Sequence, residues 1–342
     1  MSFNNCDKTC IHHRILELYS GIGGMHCAWN ASGLKGEVVA AVDINTVANN
    51  VYKLNFPNTN LLNKNIQSLT IQQICNLNVD TVLMSPPCQP FTRNGKYLDD
   101  SDTRTNSFLH FISILNYLPK ITYILMENVK GFECSTVRNV FIKKLSECDF
   151  TYQEFLICPS TVGVPNSRCR YYCIAQKNTL TWNFKRKNDI MQLLPGTYEE
   201  PYLIREVLES SVPENFLVPD KYLKRGNILD ICHKDSRRSC CFTKAYSHYI
   251  EGTGSVVTDA SKDNVDLCYK TANTVEVGCA EFVTILKQLK LRFFTPREIL
   301  LLMSFPKDYV FPENTTTKQC YRLLGNSVNV KVISELLKIL FS

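Results

Sequence analysis

Cys88 lies in the stretch Ser85-Pro86-Pro87-Cys88-Gln89-Pro90-Phe91, where three of the five residues 86–90 are proline. Proline fixes its own backbone and restricts the residue before it, so this stretch continues neither a helix nor a sheet. It follows the apolar run Thr81–Met84, which reads as a strand. A rigid loop at a strand's C-terminal end suits a fixed nucleophile, and a thiolate is one wherever the local field favours it. The bland alternative is a buried, inert thiol. That alternative suits most of the sixteen cysteines, but not one framed by prolines. The polar loop Arg93–Asp100 follows and includes Gly95 and Lys96. Its composition fits a flap over a bound group as well as it fits an ordinary surface loop.

Two further features carry charge into apolar surroundings. Met126-Glu127-Asn128-Val129 ends a run that starts at Tyr123, so Glu127 and Asn128 stand at a strand end beside the cysteine loop. A carboxylate there is costly unless it is paired or functional. Arg168 and Arg170 alternate on a strand pattern, which places both on one face, able to hold an oxygen, a carboxylate or a phosphate. Near the N-terminus, the run Ile15–Tyr19 enters Tyr19-Ser20-Gly21-Ile22-Gly23-Gly24 and then a helical pattern. Glycines at the mouth of a first strand let a nucleotide-like ligand approach the backbone. The spacing lacks the third glycine of a dinucleotide fingerprint. Asp43 closes the second strand, twenty residues after Gly23, where it can accept hydrogen bonds from a ribose, with Ile44 beside it for a base.

The elements that position these residues alternate. Strand patterns at Ile15–Tyr19, Val38–Val42, Thr81–Met84 and Tyr123–Met126 are separated by helical spacing at Thr103–Leu118 and Thr136–Cys148, and further strands follow at Tyr152–Cys158 and Arg170–Ala175. This is the pattern of an α/β fold with a doubly wound, mostly parallel sheet. From about Leu180 to Gly278 the periodicity fades, which predicts a smaller unit with long loops and a mobile middle near 189–235. Thr295-Pro296-Arg297-Glu298 is a capping box that opens a helix, and Val328–Phe341 is amphipathic. The expected division is a tail over 1–12, a catalytic domain over 13–177 and 285–342, and a recognition domain over 178–284.

The 342 residues are 44% hydrophobic and 20% charged, which supports a folded core and excludes a disordered chain. The net charge of +6 is compatible with a polyanionic partner without demanding one. No run is long enough to span a membrane and no signal peptide is visible, so the cysteines are expected to stay reduced. Cys6, Cys10, His12 and His13 are close in sequence but lack zinc-knuckle spacing, so no metal is expected. The sequon at Asn314-Thr315-Thr316 carries no weight in a chain that is not secreted.

Taken in order, Tyr19–Gly24, Pro86-Pro87-Cys88-Gln89, Glu127-Asn128-Val129, Arg168-x-Arg170 and Gly325-Asn326-Ser327-Val328 resemble the cytosine-5 methyltransferases. The resemblance covers about residues 13–173 and 290–342. Leu16–Gly21, Pro87–Arg93 and Cys241-Phe242-Thr243-Lys244-Ala245-Tyr246 are similar to the branch that methylates tRNA-Asp.

The resemblance implies a Rossmann-like methyltransferase sheet and S-adenosylmethionine as cofactor, released as S-adenosylhomocysteine. It implies that Cys88 adds to carbon 6 of cytosine, that Glu127 binds ring nitrogen 3 and the exocyclic amine, and that Arg168 and Arg170 steady the base oxygen and Glu127. The cofactor falls to Tyr19, Ser20, Gly21, Ile22, Gly23, Gly24, Asp43, Ile44, Asn65, Ile66, Pro86, Asn326, Ser327 and Val328. The nucleic acid falls to Gln89, Arg93, Lys96, Asn128, Cys241, Phe242 and Thr243. Two departures stand out. Tyr19 replaces a frequent phenylalanine, and Asn65 stands where many relatives carry an adenine-contacting aspartate.

The expected substrate is cytosine-38 of the tRNA-Asp anticodon loop, and the expected protein is a monomer of the cytoplasm and nucleus. A DNA cytosine-5 methyltransferase is the rival with the same chemistry. An inactive nucleic-acid-binding protein and a nicotinamide-dependent dehydrogenase are rivals of other classes.

Overall fold

The structure, a computed structural model, describes residues 11–87 and 106–342. The chain opens with β1 (His13–Leu18), α1 (Gly24–Ser32), β2 (Gly36–Asp43), α2 (Thr46–Asn55), β3 (Asn60–Asn63), α3 (Ile71–Leu77) and β4 (Thr81–Met84). It continues through α4 (Asn106–Ile114), β5 (Tyr123–Val129), α5 (Thr136–Glu147), β6 (Phe150–Ile157) and β7 (Arg170–Lys177). These seven strands form one sheet in the order β3-β2-β1-β4-β5-β7-β6. The first five run parallel, and β7 runs antiparallel to both neighbours. The strand order reverses between β1 and β4, the kind of switch point outside whose C-terminal strand ends open α/β sheets bind ligands.

The register explains why distant residues meet. Leu18 is level with Val42 on one side and Met84 on the other, and Met84 is level with Met126. One step further along, Asp43, Tyr19, Ser85 and Glu127 form a row along the sheet's C-terminal edge. The strands below this row are buried on both faces, as parallel strands covered by helices must be, and Thr81–Met84 is buried throughout. One face packs Leu16, Val82 and Ile124 against α4 and α5 side chains such as Phe108, Phe111 and Phe141. The other packs Ile15, Leu83 and Leu125 against α1 and the C-terminal helix.

After β7 come α6 (Asp220–Leu223), β8 (Ile231–His233), β9 (Val256–Thr258), α7 (Lys262–Ala272), α8 (Ala280–Lys287) and β10 (Arg292–Phe293). The last helices are α9 (Pro296–Leu302), α10 (Thr317–Gly325) and α11 (Val330–Phe341). Strands β8, β9 and β10 form a second small sheet. Because β10 pairs with β9, residues 292–293 complete the second small sheet. The capping box at Thr295 forms as the sequence predicts. Helix α11 returns to α1, with the Phe341 ring edge-on to Trp29 at 5.3 Å and to His13 at 4.5 Å.

Within residues 189–235, Leu194, Ile204, Val207, Val218 and Leu223 are buried in the main core. One expectation is corrected. Arg168 does not lie on a strand, since β7 begins at Arg170. Among the described residues, no helix is long and apolar enough to cross a membrane.

Candidate active site

The glycine turn is shaped by three left-handed residues, Tyr19 (φ 56°), Gly21 (φ 52°) and Gly23 (φ 81°). Tyr19 is the costly one, since a bulky residue seldom adopts this conformation. It is pinned at both ends. Its hydroxyl donates to Ser107 Oγ on α4 at 3.0 Å, and its carbonyl accepts from Ser85 Oγ at 3.3 Å. The phenol thus gives this chain a tie that phenylalanine lacks. Asp43 fixes the turn from the next strand, accepting from Gly21 N and Asn45 N, each at 2.8 Å.

The three glycines do different work. A Cβ on Gly23 would lie 2.5 Å from the Phe56 ring, and one on Gly24 would lie 2.7 Å from Val328 Cγ2 and 3.1 Å from Ser327 Oγ. Both are glycine for packing. Gly21 alone faces open space, where a Cβ would meet nothing nearer than the Tyr19 carbonyl at 4.0 Å. Beside it, the buried Ser20 hydroxyl has no hydrogen-bond partner among the described residues, and Ile44 is 67% exposed. An orphaned hydroxyl, an open backbone approach, a carboxylate and a bare apolar side chain at one strand mouth fit a nucleoside-type ligand.

At the other end of the row, Glu127 is buried and Arg170 Nε lies 3.6 Å from its Oε1. Burial pushes the Glu127 carboxyl up from its ordinary value, against the pull of Arg170 and Arg168. The Asn128 amide donates to the Pro86 carbonyl at 3.4 Å, tying β5 to the proline loop two residues before Cys88. Arg170 also points to Cys241, whose Sγ is 3.7 Å from its Nη2 and 3.4 Å from Arg168 Nη1. Burial alone would raise the Cys241 thiol, but the two guanidiniums outweigh it and hold it below the usual thiol range.

Arg168 departs from its expected role. Its terminal nitrogens donate to the carbonyls of Phe242 (3.2 Å), Gly325 (3.1 Å) and Ser327 (2.6 Å), and among the described residues Nε has no partner. It therefore holds backbone together and has little left for a base oxygen. Gly325 permits the convergence, because a Cβ there would lie 2.1 Å from Lys244 N.

Other expected contacts are also redirected. The side chains of Ile22 and Ile66 are core residues, and the Ile22 carbonyl accepts from the Tyr309 hydroxyl. The Asn65 side-chain Oδ1 caps its own turn by accepting from Gln67 N at 3.0 Å. Phe242 is buried between Tyr246 and Phe294, and Thr243 builds a turn by accepting from Ala245 N, so only Cys241 of that trio faces the site. Val328 is buried against Gly24, Ser327 stands beside it, and Asn326 is exposed at the end of α10. Cys88, Gln89, Arg93, Lys96, Cys6 and Cys10 lie outside the described residues. His13 is a core residue of β1 facing Asp80 at 3.1 Å rather than part of a tail cluster.

One group the sequence reading missed is Glu17, hidden within an apolar strand run. It is fully buried below the glycine turn, accepting from the Tyr52 hydroxyl (2.8 Å) and from His26 N in the first turn of α1 (3.3 Å). Burial pushes its carboxyl up to about 8.

The comparisons with known proteins agree with this geometry. The C-5 cytosine-specific DNA methylase family matches residues 13–342. The chain belongs to this family. It is 67% identical over 329 residues to a Spodoptera frugiperda tRNA (cytosine(38)-C(5))-methyltransferase, covering 96% of this chain and 99% of the relative. It is 42% identical to the Homo sapiens protein of the same description, covering 96% and 99%. The crystal structure of a Spodoptera frugiperda DNMT2 mutant superposes with a TM-score of 0.91 at 66% identity, covering 96% of this chain and all of that one.

Two outcomes test this account of the C-5 cytosine methylase site. Lysine cannot serve three carbonyls from one buried fork, so Arg168→Lys is expected to lower unfolding free energy by about 3 kcal/mol. Urea denaturation measures this, and a loss within error of zero contradicts the role. For Glu17, the folded state keeps a proton between about pH 4.5 and 8 that the unfolded chain has released. Its contribution to stability therefore falls as pH rises through that window. Glu17→Gln stays neutral, so its stability relative to wild type is expected to improve from pH 5 to above pH 8. A gap that does not change with pH contradicts the assignment.

Proposed function

We propose that the chain transfers a methyl group from S-adenosylmethionine to carbon 5 of cytosine-38 in a tRNA anticodon loop, with tRNA-Asp as the expected tRNA. The observation that carries the reading is the Glu127 carboxyl, buried with a raised pKa at the end of β5 and tied through Asn128 to the proline loop before Cys88. A neutral carboxyl can donate to ring nitrogen 3 of cytosine while its other oxygen accepts from the exocyclic amine, a pattern that marks cytosine. The family supplies the reaction type, and the relatives described as tRNA (cytosine(38)-C(5))-methyltransferases support tRNA over DNA.

The residues at the glycine turn fit the cofactor. Among the described residues the Ser20 hydroxyl lacks a partner and Gly21 leaves the backbone open, so this turn would hold the methionine half. Asp43 keeps free lone pairs for the ribose hydroxyls, and exposed Ile44 would cover adenine. When bound, S-adenosylmethionine supplies an electrophilic methyl group.

The protein's part is to make cytosine carbon 5 nucleophilic. Cys88 adds to carbon 6, and electron density moves through the ring toward nitrogen 3, where the Glu127 proton stabilises it. Arg170, held between Glu127 and Cys241, keeps the carboxyl in place. After the carbon-5 proton leaves to a base, Cys88 is expelled. The target base must leave its stack, which costs less in an RNA loop than in a duplex.

The test supplies labelled S-adenosylmethionine with total tRNA and, separately, duplex DNA. Wild type is expected to label tRNA, Cys88→Ala to label nothing, and Glu127→Gln to fall on the order of 100-fold or more. Label in DNA but not in tRNA overturns the substrate. Transfer that survives the Cys88 change overturns the mechanism.

A further inference from the structure

Two thiols away from the methyl-transfer site meet at the end of the β6–β7 ladder. The antiparallel register pairs Leu156 with Tyr171 and Ile157 with Arg170. Continued by one residue past the strand ends, this register would set Cys158 opposite Cys169, and Cys158 is close enough to act electrostatically on the Cys169 thiol. The parity of this pair follows from the outer edge of β6. Leu156 N donates to the Met191 carbonyl at 2.8 Å, and the Glu154 carbonyl accepts from Met191 N at 3.0 Å. Even-numbered residues of β6 therefore turn their backbone groups away from β7. Cys158 and Cys169 continue the non-hydrogen-bonded series, in which antiparallel Cα atoms lie about 4.5 Å apart and side chains approach most closely. Disulfides accept Cα separations of roughly 4.4–6.8 Å.

Carried one residue past the ends of β6 and β7, the strand alternation sets both thiols on the face of Leu156 and Tyr171, opposite Arg170. Each is partly exposed, and the two interact electrostatically. The loop between them carries the binding hub. Cys158 Sγ donates to the Asn166 carbonyl at 3.5 Å, and Arg168 N donates to the same carbonyl at 3.0 Å. The Asn166 amide in turn donates to Ser239 Oγ and to the Cys240 carbonyl.

We propose that Cys158 and Cys169 form a reversible disulfide by exchange with a small-molecule disulfide such as oxidised glutathione. One protein thiolate attacks a sulfur of the small disulfide, forming a mixed disulfide and expelling one thiolate. The second protein thiolate attacks the mixed disulfide at the protein sulfur and expels the other. The two cysteines lose two electrons, the small disulfide gains them, and the two cysteine protons end on the two released thiols. The bond closes residues 159–168 into a ring and removes the thiol proton that now reaches Asn166. It thereby couples redox state to the loop that holds Arg168.

The experiment treats the full chain with reduced or oxidised glutathione, alkylates free thiols and digests with chymotrypsin. Cleavage after Leu156 and Tyr171 yields peptide 157–171, which contains these two cysteines and no other. After oxidation the peptide is expected without alkyl groups and two hydrogens lighter than its reduced form, and dithiothreitol is expected to restore it. In Cys158→Ser or Cys169→Ser the remaining thiol is expected to be alkylated or to carry glutathione. A wild-type peptide that keeps two alkyl groups, carries glutathione, or is joined to another peptide overturns the proposal. The readout does not depend on the methyl-transfer reading, so either can fail alone.

Discussion

The site depends on one buried cation. The Arg168 guanidinium spends its terminal nitrogens on carbonyls of Phe242, Gly325 and Ser327. Removing a guanidinium from water costs several kcal/mol, which only a nearly complete set of hydrogen bonds offsets. That set exists only when the segment before β7, the smaller unit and the turn before α11 all converge. Cys241 follows as a neighbour of Phe242, and Arg170 is held between it and Glu127.

Competition between burial and charge then sets the chemistry. At Glu127 burial outweighs two nearby guanidiniums and favours the neutral carboxyl. At Cys241 the same guanidiniums outweigh burial and favour the thiolate. Both guanidiniums donate to the Cys241 sulfur, whereas among the described residues Glu127 has an ion-pair contact with Arg170, at 3.6 Å, and feels Arg168 from further away. A neutral carboxyl beside a fixed cation can recognise nitrogen 3 and the amine of cytosine together.

Much of this was legible in the sequence because it is local. Strand runs, the glycine turn, Asp43 at the second strand's end and the Thr295 capping box each follow from short-range pattern. Strand β3 escaped because its four residues begin and end with asparagine, and β8–β10 escaped because strands of two or three residues show no period. Glu17 hid inside an apolar run. The partners of Arg168 lie more than seventy residues away, so spacing could not reveal them. Ile22, Ile66 and Phe242 were assigned ligands because they sit in functional motifs. Within such motifs some positions serve the core, and only packing shows which.

The most direct test of the central claim is covalent trapping. A tRNA carrying 5-fluorocytosine at position 38 would be incubated with the chain and S-adenosylmethionine, then run on a denaturing gel. Fluorine cannot leave as the carbon-5 proton does, so the Cys88 adduct is expected to persist as a protein–RNA band of shifted mobility. Cys88→Ala is expected to give no such band. Absence of the band from wild type, or its survival in Cys88→Ala, contradicts the account.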